Sequence, residues 1–417
     1  MTMRARPLYA GLLLWAALGF PVLLSPQHSP AAAAAESQTV RPEIGKPLQA
    51  ASNLLKAQKY KEALAKIREA EAAAGQTPYE AFVIQRMRGF AAAGAGDAQL
   101  AAKSLEAAMA SGKMSNGEKL NAMEALVSVF YRAKDYRSTA AWASRYAKEG
   151  GSNPQITGLI PQLRYMSGDV AAAAKELLAQ VQADEKAGRA PSEEKLQLLA
   201  NCYLKMNDNN GYVVALEKLV ARYPKKSYWT DIISRVQRKS GFSERLSLEL
   251  YRLKFVTENM VTSNDYMEMS QLALQEGFNA EGKKIVDKGF AAGVLGTGNE
   301  AERHKRLNDL AAKRVADEQK MLAQLEKEAQ AATDGMGLLN LGVNYIGMGQ
   351  SAKGLALMEQ GMAKDGFKRP DDARLRMGIG YLMAGQKPKA LQTLKLVKGT
   401  DGSADLARLW TLYAQQH

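Results

Sequence analysis

Histidine and cysteine are the side chains best suited to acid–base, nucleophilic and metal chemistry near neutral pH, and this sequence holds three of the first and one of the second. His28 falls in an N-terminal segment that reads as removed on export, which leaves His304 and His417. A Ser-His or Cys-His nucleophile pair would have to use one of these two. His304 is flanked by Arg303 and Lys305 in a charged stretch and His417 is the last residue, so both are expected to be solvated rather than catalytic. No two histidines have ligand spacing, and the lone Cys202 cannot build a zinc site, so no metal is expected. The glycines of the 293–298 segment, Gly293, Gly296 and Gly298, lack the lysine and Ser/Thr of a phosphate loop and follow a helical stretch, which makes the segment a helix cap and loop. Glu193-Glu194 and Asp371-Asp372 are carboxylate pairs of the kind a glycosidase needs, but both precede apolar runs, where acids stabilise helix N-termini. The chain therefore reads as non-catalytic and free of cofactors.

The elements that carry these residues are helices. Long Ala/Leu/Lys/Glu/Gln stretches, 13 prolines and few β-branched runs point to an all-α chain with no sheet. Arg4 and Arg6 precede an apolar run from Leu8 to Leu24, then Pro26 and an alanine block, Ala31 to Ala35; residues 1–35 read as a secretory signal cut near Ala35, with an uncleaved anchor as the alternative. On cleavage no membrane span remains, and the formal charge of +13 falls to +11 with the loss of Arg4 and Arg6. That balance favours anionic surroundings, but no clustered basic-aromatic motif points to nucleic acid. One cysteine allows no intramolecular disulfide, so stability must come from packing.

A pattern written twice organises the C-terminal part. Leu338, Leu341, Gly342 and Tyr345 precede a Gly349-Gln350 turn, then Gly354 and Met358; at the same offsets stand Met377, Gly378, Tyr381, a Gly385-Gln386 turn, Ala390 and Leu394. This resembles the tetratricopeptide repeat, a helix-turn-helix unit with a leucine-glycine pair, a tyrosine three residues on, and an alanine and an aromatic four apart on the second helix. The resemblance implies an α-α superhelical solenoid of about nine units.

In chain order, residues 36–46 read as a flexible leader and 47–298 as about seven units. Their second helices carry Ala63 and Ile67, Ala101 and Leu105, Ala140 and Trp142, the 171–178 run, Leu216 and Leu219, Leu250 and Leu253, and Gly282 and Val286. Pro224 and Trp229 match the family's repeat-ending proline and leading tryptophan. Residues 299–332 form a charged helical segment, either a degenerate repeat or one long helix; 333–402 hold the two clear units, and 403–417 a capping helix.

In the resembled family the first helix of each unit lines a concave, partner-binding face. By register, Arg86, Glu124, Ser128, Tyr131, Arg132, Gln162, Tyr165, Asn201 and Lys205 form a mixed groove suited to a polar peptide or glycan. The C-terminal pair places Leu339, Val343, Ile346, Leu375, Ile379, Leu382 and Met383 on the same face. Apolar residues there must be covered, either by the 299–332 helix or the cap, or by a partner helix lying in a hydrophobic groove.

The resemblance implies a periplasmic or secreted scaffold of a Gram-negative bacterium, binding protein or peptide partners in a cell-envelope assembly or transport system. The 266–298 region looks like periplasmic repeat proteins associated with TonB-type machinery. The alternatives are a soluble receptor for glycan or peptide and a cryptic carbohydrate-active enzyme.

Overall fold

The computed structural model describes residues 39–364 and 366–417; the expected export segment, 1–35, lies outside them. Packing divides the chain into two compact units, Met1–Gln180 and Val181–His417. No composition change marks that division, and the charged 299–332 segment lies wholly within the second unit.

In the N-terminal unit, α1 (Pro42–Lys56) pairs with α2 (Tyr60–Glu71), α3 (Pro78–Ala95) with α4 (Ala98–Ala110), and α5 (Asn116–Arg132) with α6 (Tyr136–Lys148). The short α7 (Pro154–Thr157) and α8 (Ile160–Ser167) follow, and α9 (Val170–Lys186) carries the chain across the division. In the C-terminal unit, α10 (Glu193–Lys205) pairs with α11 (Asn209–Arg222), and α12 (Lys226–Gln237) leads through a 3₁₀ turn to α13 (Ser247–Val256). Then α14 (Ser263–Gln275) pairs with α15 (Asn279–Ala291), α16 (Ala301–Ala331) runs alone, α17 (Met336–Gly347) pairs with α18 (Ser351–Lys364), α19 (Pro370–Met383) with α20 (Lys387–Leu394), and α21 (Ser403–Gln416) ends the chain. Among the described residues there is no strand. Each hairpin returns on its own first helix, which is the tetratricopeptide arrangement.

Two local devices make the hairpins. The turn needs one left-handed residue before the second helix, supplied by Gly96, Gly168, Gly277, Gly349 and Gly385, and elsewhere by Gln58 and Lys134 at φ 59° and Asn207 at φ 57°. Asp97, Asp135 and Asp208 then cap the second helices, each side chain accepting a backbone N–H of the first turn. Close helix contact needs a small residue opposite a large one. A Cβ on Gly89, Gly342 or Gly378 would lie within 2.7 Å of Leu105, Met358 or Leu394 respectively. The partner is the residue sixteen positions later each time, so one register recurs in three hairpins.

Two expectations change, and one of two alternatives is selected. The leader is shorter than 36–46, because α1 begins at Pro42, where proline suits a first helical position. Ile44 and Leu48 are buried, and the Arg41 guanidinium and backbone N–H both donate to Glu80 of α3, which fixes that end. The 299–332 segment is one 31-residue helix rather than a degenerate repeat. At 1.5 Å per residue it is about 46 Å long. Its buried residues pack Leu307 and Ala311 with Leu274 and Val286, and Ala329 with Leu338 and Leu341. Finally, α13 is not a one-sided second helix: Leu248 to Leu253 are six consecutive buried residues, Glu249 and Arg252 included. The helix is enclosed on all sides by the rest of its unit.

The end of the chain returns to the start of that unit. Arg408 of α21 bridges to Glu217 of α11 at 3.1 Å, Gln416 donates to the Val220 carbonyl, and Lys239 pairs with Asp405. Arg245 bonds both Asp372 and Asp401, and the Ser243 N–H donates to the Asp401 carbonyl. Burial opposes ionisation of Asp401, yet its bonds from Ser403 and Arg245 hold the carboxyl at about 2.

Candidate interaction site

The residues with the scarcest chemistry are structural. His304 is buried rather than solvated, and its Nδ1 accepts the Gly296 N–H at 3.1 Å, stitching the loop after α15 to the first turn of α16. The sequence placed it in a charged run; its neighbours at three and seven positions, Leu307 and Ala311, are the signal that it shares their buried stripe. Cys202 is buried too, and burial pushes its thiol up to about 11, well away from thiolate reactivity. Among the described residues no group of three or more His, Cys, Asp and Glu side chains is placed to hold a metal ion.

The first-helix face of the N-terminal unit is polar and aromatic. Arg86 of α3 reaches across to Glu118 of α5 at 2.9 Å. Glu124 of α5 accepts from the Tyr146 hydroxyl at 2.7 Å and from Asn153, and burial followed by that bond raises the tyrosine pKa. The ring of Tyr131 meets Tyr136 edge-on with centroids 6.0 Å apart, and Arg132 donates to the Ala93 carbonyl at the end of α3 at 2.6 Å. Ser128, Tyr131, Gln162 and Tyr165 are half-buried and Arg132 is exposed. Arg86 and Arg132 thus hold α3 and α5 side by side, with the tyrosine rings and the Arg132 side chain partly at the surface. Asn201 and Lys205 lie on α10, in the other unit, half-buried and exposed.

At α17 and along most of α19 the same face of the C-terminal unit is closed. Leu339, Val343 and Ile346 are buried in one core with Leu248 and Tyr251 of α13, Met269 and Ala273 of α14, and Phe278 and Ile285. Leu375 and Ile379 are buried as well, Leu382 is half-buried, and Met383 is exposed. The cover over Leu339, Val343 and Ile346 therefore comes from their own unit, from side chains of α13 to α15 together with Leu355 and Met358 of α18 and Ala373 and Met377 of α19. The long helix α16 instead meets α17 on its other side, at Leu338 and Leu341.

An ionic cluster that sequence reasoning missed fills the middle of this unit. Arg376 of α19 bonds Glu249 at 2.9 Å, Glu276 at 2.7 Å and Asn340 at 2.7 Å; Arg252 bonds Glu281 at 2.5 Å and Glu249 at 3.3 Å. Both guanidiniums lie over the buried ring of Phe278, 4.7 and 5.1 Å from its centroid. Burial works against the Glu249 carboxylate, but Arg376 and Arg252 outweigh it and hold the carboxyl below its ordinary range. Burial, with Glu249 as a like-charged neighbour, raises Glu276. The available signal was Glu249 and Arg252, a charged pair three residues apart inside the run LSLELYRLKFV, which is apolar on every helical face.

No family model matches the chain, and no curated protein matches it. Solved structures similar to it include a tetratricopeptide repeat protein from Parabacteroides merdae, at 12% identity and a TM-score of 0.26 over 79% of this chain and 98% of that one. The P58(IPK) TPR domain is similar at 12% identity and a TM-score of 0.23 over 90% and 99% of the two chains, and yeast Tom70 at 11% and 0.19 over 89% and 94%. The assignment of the repeat rests on the chain's own helix pairing and recurring glycine register.

Proposed function

We propose that this chain, which has the paired-helix fold of tetratricopeptide repeats, is a non-catalytic scaffold that holds a protein or peptide partner on the first-helix face of its N-terminal unit. One contrast carries the reading. At α17 of the C-terminal unit that face is filled by apolar side chains of the same chain, whereas in the N-terminal unit Tyr131, Arg132 and Tyr165 reach the surface. Rigid aromatics beside an arginine are the composition of energetically dominant interface residues. The Arg4 and Arg6 pair with its following apolar run supports export, so the partner belongs in the periplasm, within a cell-envelope assembly or transport system.

The test is affinity purification from crosslinked cells with the wild-type chain and a Tyr131→Ala/Arg132→Glu variant of matching helical content. A partner that the wild type recovers reproducibly should fall at least about tenfold in the variant, as loss of a hot-spot pair demands. Equal recovery by both chains would refute the site. A C-terminal alkaline phosphatase fusion, active only when residues 1–35 are present, tests export.

A further inference from the structure

Of the 31 residues of α16, only His304, Leu307, Ala311, Glu318 and Ala329 are buried. They form a stripe along one side, and the opposite side faces solvent over the whole length of the helix. Along that outward side Arg306, Lys313, Lys320 and Lys327 are all exposed and stand seven residues apart, with two exposed acids, Glu302 and Asp309, on the same side at its N-terminal end. Seven residues make almost two turns, so the four cations line one row at intervals of about 10.5 Å. Lys320 pairs with Asp317 at 3.3 Å, but among the described residues Arg306, Lys313 and Lys327 have no ion-pair partner. Beside the row, Leu310 and Met321 are 44% and 53% exposed, eleven residues or three turns apart.

We propose that the outward face of α16 docks an amphipathic helix of a protein partner whose acidic residues recur every seven positions beside an apolar row. Cations at heptad spacing are the complement of that pattern, as flanking charges are in paired helices, and Leu310 and Met321 supply the apolar contact. A lipid surface needs net positive charge and a broad apolar face, but Glu302, Asp309, Asp317 and Glu328 on this helix offset most of the cations and Leu310 and Met321 are its only exposed large apolar side chains. A partner helix matches charges one by one. This surface is separate from the one around Tyr131, and the Tyr131→Ala/Arg132→Glu variant should leave it unaffected.

The probe is a synthetic helical peptide of four heptads, with Glu at every seventh position and a neighbouring leucine row, titrated by fluorescence anisotropy into the full chain. A counterpart with Lys for Glu and vesicles of phosphatidylglycerol serve as comparisons. The Glu peptide should bind, and binding should weaken about tenfold in an R306E/K313E/K327E variant, the sum expected of three exposed charge pairs. Raising salt to about 0.5 M should weaken it similarly by screening. A milder R306Q/K313Q/K327Q variant serves if the charge reversal disturbs the circular dichroism melt, and Leu310→Asp should also weaken binding. Equal binding of the Glu and Lys peptides, unchanged binding by the variants, or binding to vesicles but not to the Glu peptide would each overturn the proposal.

Discussion

Glu249 and Arg376 are 127 residues apart in sequence and meet at 2.9 Å inside the C-terminal unit. Their bond ties the enclosed helix α13 to α19, and Trp410 of α21 donates to the Glu249 carbonyl on the same turn. Charges this deeply buried depend on each other. Arg376→Met should cost about 3–5 kcal/mol, because it strips Glu249 of its nearest neutralising charge. The double variant Arg376→Met/Glu249→Met should recover most of that loss. Urea unfolding of both single variants and the double checks this, and a double variant destabilised by the sum of the two singles would mean that the pair is not coupled.

Glycine at the helix contacts and glycine in the turns have opposite expected effects. A Cβ on Gly342 would meet Met358 at 2.3 Å and the Gly354 carbonyl at 2.5 Å, so Gly342→Ala should destabilise by about 1–3 kcal/mol. Lys134 carries a side chain at φ 59°, so Lys134→Gly should stabilise by about 1 kcal/mol through relief of left-handed strain. Thermal melts of both variants would show Tm moving in opposite directions.

Acid should loosen the N-terminal unit through Glu80. Its bonds from Arg41, and then the Thr77 backbone, hold the carboxyl at about 2 against an ordinary value of 4.5, despite burial. A depressed carboxyl stabilises above the unfolded value and loses that contribution as pH falls from 4.5 toward 2. Glu80→Gln should lower stability at neutral pH and flatten the acid limb of a stability–pH curve. An unchanged acid limb would show that Glu80 carries no such linkage.

Glu318 should behave in the reverse sense. It is buried on α16 and accepts from Asn279 at 3.2 Å and Asn344 at 2.7 Å, with no cationic partner among the described residues, and burial raises its pKa. The folded state binds this proton more tightly than the unfolded chain, so stability falls as pH rises through the raised value. Glu318→Gln should stabilise the chain at pH 7–8, measured by urea titration, and should remove that decline. Loss of stability at every pH would mean that the charge itself is needed.

The legible parts of this fold are local in sequence. Gly342 with Met358 and Gly378 with Leu394 sit sixteen positions apart within one hairpin, so their pattern shows in a short window. So does Asp135 after Lys134, a turn residue followed by a cap. The site was less legible, because burial of Leu339, Val343 and Ile346 depends on residues from α13 to α15, more than fifty positions earlier. An apolar first-helix face reads the same whether its cover comes from a partner or from the chain itself. The start of α1 was not legible either: Pro42 begins the helix and Pro47 lies inside it, and the segment is held by burial of Ile44 and Leu48 and by the Arg41–Glu80 clamp.

Photo-crosslinking residues placed singly at Tyr131 and at Ile346, activated in intact cells and read by mass spectrometry, test the central claim that, of the two first-helix faces, the N-terminal one receives a partner and the one at α17 does not. Tyr131 should capture a distinct protein, and Ile346, 6% exposed, should give only links within its own chain. Capture of a partner at Ile346 with none at Tyr131 would contradict the account.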